Sequence, residues 1–208
     1  MLIHDAGRTR NLSAALPASS PARPDTAGEN DHVTLTSASD LVTRALQDYR
    51  KLAFEERDAR ADEIMTVCLR QVAAMPQATP AEREIAALGL RLGRGLKGIK
   101  REIAYSAVEH EIRTPSSTET GPRLASVGWN AFPWYCNTST GYRLSHHCAK
   151  ATLRAIVDSP SATPVDKAKA WEGLRFGGLF IDKEDRWSRE YWTVHGLASR
   201  EASMLGYT

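Results

Sequence analysis

An apolar stripe with helical spacing runs through the middle of the chain and constrains the fold more than any other feature of the sequence. Apolar residues recur there every three or four positions, which gathers them on one face of an α-helix. Such a face is stable only when another element buries it, so the fold must be built by packing helices. The stripe consists of Ile85, Leu88, Leu92, Leu96, Ile99 and Ile103, and it continues toward Val108 and Ile112.

The stripe has a clear start and a clear end. Thr79 can act as an N-cap, Pro80 suits the first helical position, and Glu82 can reach back to complete a capping box. The pattern stops at Thr114-Pro115, because a residue before proline is disfavoured in the helical region. These signals predict a helix that begins at Pro80 and continues to about residue 113.

A second helical pattern precedes Pro76. Ser37 or Ser39 can cap it, and the charged residues between 55 and 63 are typical of a solvated helix face. We predict one long helix or two helices in line, packed against the first to form a long antiparallel hairpin over about 37–113. Its apolar positions are Leu41, Ala45, Tyr49, Leu52, Ile64, Cys68, Val72 and Met75.

The remaining sequence divides into a tail and a C-terminal region. Residues 1–36 are rich in Ala, Ser, Thr and Pro, so we predict a mobile tail, with a secretion segment like that of bacterial injected effectors as the alternative. Residues 114–208 are predicted to form an aromatic-rich region of short helices and loops. Helices are expected after Ser145, after Thr163, and over about 183–204. The predicted fold class is therefore mainly α.

Composition excludes several classes of protein. A formal charge of +2, from 27 basic and 25 acidic residues, provides no strong overall field toward nucleic acid or an anionic membrane. Three cysteines do not form the framework of a disulfide-rich secreted domain. We find neither a secretory signal nor a run of about 20 apolar residues, so we expect a cytoplasmic protein without a membrane partner.

Five cations without an intervening acid form a basic ridge over residues 91–101. On one continuous helix they would lie opposite the apolar stripe, where they could contact phosphates. The competing interpretation is a solvated face whose acids belong to a neighbouring element. The residues of the ridge are Arg91, Arg94, Lys97, Lys100 and Arg101.

Gly93, Gly95 and Gly98 match the spacing of the dinucleotide fingerprint Gly-x-Gly-x-x-Gly. The chemistry of that motif needs a strand before it and a helix after it, whereas a helical pattern precedes these glycines. We therefore expect them to permit close packing of another helix, or to bend or break their own. No cofactor is predicted.

The stretch from Cys136 to Cys148 contains two cysteines and two histidines, His146 and His147. Cys136, His146 and Cys148 are weak candidates for a metal site, because adjacent histidines on a helix point about 100° apart and the spacing suits zinc poorly. A Cys-dependent enzyme is another interpretation: Cys148 would lie in the first turn of a helix, with His195 as its base. We favour a third interpretation over the metal site and the enzyme, in which both cysteines are buried as small apolar side chains.

All five tryptophans lie between Trp129 and Trp192. Exposed tryptophan or tyrosine beside arginine is typical of binding hot spots, so we expect at least one ring at a partner surface. The candidate partner-binding residues are Trp129, Trp134, Trp187, Arg189 and Trp192.

No complete catalytic constellation appears in the sequence. The leading interpretation is a non-enzymatic interaction or regulatory protein that docks a macromolecular partner, with a protein as the expected partner and a subunit of a larger assembly as one form of this role. A nucleic-acid-associated protein that uses the basic ridge is the first alternative. An enzyme centred on Cys148 is the second.

Overall fold

The computed structural model describes residues 36–54, 58–131, 139–176 and 189–199. Regular secondary structure within these ranges is entirely α-helical, which confirms the predicted mainly α class. Residues 1–35, which belong to the predicted tail, lie outside the described residues. The helices are α1 (Ala38–Phe54), α2 (Asp58–Ala74), α3 (Pro80–Gly95), α4 (Ile99–Arg113), α5 (Thr120–Asn130), α6 (Ser139–Asp158), α7 (Pro164–Phe176) and α8 (Arg189–Ala198).

The first four helices form an up-and-down bundle. Each packs on the next in sequence, and α4 packs back on α1. Short connections make consecutive helices antiparallel. Hydrogen bonds from Thr43 to Glu109 and from Arg50 to Glu102 show the same antiparallel direction for α1 and α4. The predicted long hairpin was therefore wrong in one respect, because each of its arms divides into two helices that fold back on each other.

Burial explains why the first arm folds back. Val42 and Leu46 of α1 and Met65 and Leu69 of α2 are almost completely buried. Two helices in line would leave part of these apolar faces in water, whereas a bundle buries them in one core.

The second arm breaks at Gly98. This residue has φ +54, a left-handed conformation that favours glycine, and α4 begins directly after it. The break changes the helical phase, so Leu96 is fully buried while Ile99 is 67% exposed. The expected bend or break is confirmed, and the placement of Ile99 on the buried stripe was wrong.

Three predicted start signals are present. Thr79 and Glu82 form a complete capping box, in which the Glu82 N–H donates to Thr79 Oγ1 over 3.2 Å and the Thr79 N–H donates to Glu82 Oε2 over 2.7 Å. Ser37 accepts from the first turn of α1 in the same way. At α7, the Asp166 N–H donates to Thr163 Oγ1 over 3.2 Å. These local signals fixed the helix starts correctly.

Helix α5 lies at the centre of the C-terminal half and was not predicted. All residues from Thr120 to Gly128 are buried, and α5 packs on α3, α4, α6, α7 and α8. Its sequence contains Gly121, Pro122 and Gly128, residue types that are typical of turns, so the local pattern did not indicate a helix. Pro122 lies in its first turn, where proline is tolerated.

A buried ion pair attaches α5 to the bundle. The side chains of Arg123 and Glu111 are 8% and 1% exposed, and Arg123 Nε lies 3.2 Å from Glu111 Oε1. The same guanidinium donates to the Glu111 carbonyl oxygen over 2.9 Å, and the Ser116 N–H donates to Glu111 Oε1 over 2.9 Å. Breaking a buried pair by removing one partner typically costs about 3–5 kcal/mol. This contact therefore fixes α5 against α4.

Glycines allow these helices to approach closely. A Cβ on Gly128 of α5 would lie 2.1 Å from Thr152 Oγ1 of α6. A Cβ on Gly93 of α3 would similarly meet the Tyr105 hydroxyl of α4 at 2.4 Å. The expected close packing at Gly93 is confirmed.

We expect Gly128→Ala to destabilise the protein by about 1–3 kcal/mol, because the new methyl group overpacks a fully buried crossing. Gly196→Ala is the matched control, since Gly196 also lies in a helix but has nothing within 4 Å of its Cβ position. That substitution should be neutral or stabilise by up to about 1 kcal/mol. Urea unfolding followed by circular dichroism measures both, and equal effects would contradict the packing argument.

Candidate functional site

Four rings from two helices form a continuous aromatic cluster. Trp129 comes from α5, and Tyr191, Trp192 and His195 come from α8. The ring centroids lie 4.8 Å apart for Trp129 and Tyr191, 5.6 Å for Tyr191 and Trp192, 5.7 Å for Trp192 and His195, and 4.4 Å for His195 and Trp129. Each ring thus contacts two others in tilted or edge-on geometry, which is favourable for aromatic pairs.

The aromatic cluster has a buried side and an exposed side. Tyr191 is 4% exposed and packs on half-buried Trp129, whereas Trp192 is 53% exposed. Val194 and Leu197 continue the buried face of α8. The exposed indole is therefore held by rings that the core already fixes.

Two further contacts hold α8 beneath the aromatic cluster. Glu190 is 1% exposed, and its Oε2 lies 3.1 Å from Nδ1 of His146 on α6. Gly173 of α7 allows Thr193 to approach, since a Cβ at Gly173 would lie 2.8 Å from Thr193 Oγ1. Helix α8 is thus attached to α5, α6 and α7.

Two of the predicted partner-binding residues belong to the aromatic cluster. Trp129 and Trp192 both contact Tyr191 and His195. Trp134 and Trp187 lie outside the described residues, as does the side chain of Arg189. Tyr191 and His195 were not among the predicted partner-binding residues. Their positions close to Trp192 on one predicted helix could have indicated that the three rings lie together.

The prediction that Cys148 lies in the first turn of a helix, where its thiol could be activated, was wrong. Helix α6 begins at Ser139 instead of after Ser145, so Cys148 lies in its middle, away from the first-turn amides that would lower a thiol pKa. Cys148 is also fully buried. His195, the proposed base, packs between Trp129 and Trp192 as part of the aromatic cluster.

The structure does not bring the residues expected for a metal site together. His146 faces Glu190, whereas the ring of His147 packs against Gly95, where a Cβ would lie within 1.9 Å of Nε2. Cys136 lies outside the described residues. Within the ranges that the structure describes, no group of three or more His, Cys, Asp and Glu residues could hold an ion.

The basic ridge does not lie on one helix, which corrects the predicted geometry. The break at Gly98 leaves Arg91 and Arg94 on α3 and places Lys100 and Arg101 on α4. Arg91 forms an ion pair with Asp158 at 3.3 Å. Arg101 pairs with Asp62 and donates to the Leu96 carbonyl oxygen over 2.7 Å. For these two cations, the interpretation that acids of neighbouring elements face the ridge is confirmed.

Three cations of the ridge remain without an acidic partner among the described residues: Arg94, Lys97 and Lys100. We call them the basic corner, because they surround the connection between α3 and α4. Arg94 and Lys97 are exposed and Lys100 is half-buried. The amides at the start of α4 receive no side-chain cap, which adds positive potential there.

Packing accounts for the glycines that match the dinucleotide fingerprint. Helix α3 precedes them where that fingerprint requires a strand. Gly93 and Gly95 accommodate Tyr105 and His147, and Gly98 supplies the break.

No protein-family model matches the chain, and searches of curated proteins and of solved structures found no match either. The part of the chain that the structure describes contains no helix long and apolar enough to cross a membrane. The function must therefore be inferred from the residues themselves.

We expect Cys68 to be an unreactive thiol. Burial raises its pKa to about 11, so only about one molecule in a thousand carries the thiolate at pH 8. Alkylation by iodoacetamide at pH 8, followed by peptide mass spectrometry, should be at least about a hundredfold slower in the native chain than in the urea-unfolded chain. Equal rates in the two states would show that this part of the core opens readily.

Proposed function

We propose that this is a non-enzymatic interaction protein that docks a protein partner through the aromatic cluster, with Trp192 as the central contact. One observation carries the proposal: an indole that is 53% exposed rests on rings that are themselves buried or half-buried. Exposing much of a large apolar side chain costs free energy, which binding a partner recovers. The absence of disulfides at Cys68 and Cys148 supports a cytoplasmic setting for this activity.

The geometry suits a hot spot. Tryptophan has few rotatable bonds, and contacts with Tyr191 and His195 restrict those of Trp192 further. Little side-chain entropy is therefore lost when a partner covers the ring. The indole can also donate one hydrogen bond, which adds specificity to the apolar contact.

Replacing Trp192 with alanine tests this proposal. The tagged full-length chain is used to capture proteins from a lysate of the source organism, and the captured partner is then titrated against each purified variant. We expect Trp192→Ala to weaken binding of that partner by about 2 kcal/mol or more, or roughly thirtyfold.

Trp171→Ala is the matched control. Trp171 is 59% exposed on α7 but makes none of the ring contacts that define the aromatic cluster. The proposal is supported if a partner binds to wild type and to Trp171→Ala but not to Trp192→Ala. A partner that binds all three proteins equally would assign docking to another surface.

A second candidate function is association with nucleic acid through the basic corner. The observation that favours it is the set of three neighbouring cations without an acidic partner in the described part of the chain. Cations that neutralise phosphates release counterions and so add salt-dependent affinity. Arg91 and Arg101 are left out of the proposed interface because acids of the same chain pair with them.

Binding of a labelled DNA duplex over a salt series tests this second function. Replacing Arg94, Lys97 and Lys100 together by alanine should reduce the log–log salt slope by about 0.9 for each cation that contacts a phosphate. The control replaces three exposed cations elsewhere by alanine, Arg70, Arg154 and Lys169, for the same change in net charge. No binding at low salt, or equal slopes for both variants, would remove this candidate.

A further inference from the structure

A groove of about 410 Å³ lies between α1 and α2, on the outside of the bundle. Leu41 and Ala45 of α1 and Ile64 and Val67 of α2 contribute its apolar surface. Val67 is 45% exposed, so an apolar side chain lies open to water within the groove. Burying such a surface is favourable in any complex that covers it.

Four charged residues border the same groove: Arg44 and Asp48 on α1, and Arg60 and Glu63 on α2. Two are cations and two are anions. Across the described ranges, none of the four forms an ion pair. The rim therefore has no net charge and offers both signs to a partner.

We propose that this groove is the interface of a homodimer, in which α1 of one chain lies antiparallel to α1 of a second copy. An Arg and an Asp four positions apart on one helix face complement themselves in that arrangement. Arg44 then meets Asp48 of the second copy, and the two-fold axis repeats the contact. A partner surface of uniform charge would instead be repelled by half of the rim.

The apolar surface fits the same axis. Val67 lines the groove together with Ala45, which lies between Arg44 and Asp48 in the sequence. An axis that pairs Arg44 with Asp48 of the second copy thus passes close to Val67, so that the two valines cover each other. A dimer with charged pairs around an apolar centre has the usual anatomy of a protein interface.

This interface is independent of the proposed docking function. Helices α1 and α2 pack on α3 and α4, whereas the aromatic cluster lies on α5 and α8. Dimerisation through this groove would not cover the aromatic clusters, so the assembly would be bivalent toward a partner with repeated sites.

Sedimentation velocity of the full-length chain over a range of concentrations tests the homodimer. Wild type should shift from monomer toward dimer as concentration rises. Val67→Asp places a charge in the apolar centre and should weaken dimerisation at least tenfold. The circular dichroism spectrum should stay that of the folded helical chain, because Val67 is 45% exposed. Trp192→Ala is the control and should dimerise like wild type.

Charge exchange tests the antiparallel pairing itself. Arg44→Asp and Asp48→Arg should each abolish self-association, since each leaves two like charges facing their own copies. The two single variants mixed together should form a heterodimer, and the double variant with both substitutions should dimerise again. A structural defect cannot produce this pattern of loss and rescue.

Three outcomes would overturn the homodimer. The first is that wild type stays monomeric at every concentration. The second is that Val67→Asp dimerises as wild type does, and the third is that the single charge variants self-associate as wild type does. If the chain stays monomeric but a captured protein is lost on Val67→Asp, the groove belongs to a different partner and the homodimer proposal fails. Loss of docking by Trp192→Ala has no bearing on any of these results.

Discussion

Burial of α5 on every side is the constraint on which the C-terminal half of the structure depends. Polar groups within it must find partners inside the protein, and the pair formed by Arg123 with Glu111 meets that need for the guanidinium. Neighbouring helices must also come close to its backbone, which Gly121 and Gly128 permit. Helices α6, α7 and α8 can then pack around α5 and bury their own apolar faces.

The proposed docking surface follows from this arrangement. Trp129 lies near the end of α5, so a fixed α5 supplies a fixed ring on which Tyr191 and His195 pack. Trp192 is then presented to solvent by a helix that three others hold. A docking residue on a packed helix is already ordered before the partner binds. Binding therefore costs less conformational entropy.

Several cations of this protein are neutralised by acids on other helices. Arg91 and Arg101 belong to a cationic run in the sequence, yet each finds an acid on another helix. Among the described residues, three cations without an acidic partner form the basic corner, and four charges without an ion pair border the α1–α2 groove. Local surfaces of this kind can select partners even though the net charge is only +2.

The sequence by itself determined the features that neighbouring residues decide: the helical class, from the period of the apolar stripe, and the helix starts at Thr79 and Thr163, from side chains that bond their own first turns. It did not reveal α5, because Gly121, Pro122 and Gly128 are typical of turns, and packing against five other helices is what holds this stretch as a helix. Tertiary structure alone decided that the predicted hairpin divides into four helices, that Cys148 lies mid-helix in the core, and that Trp192 is exposed. These properties depend on which helices meet, and contacts between residues distant in sequence leave no local pattern.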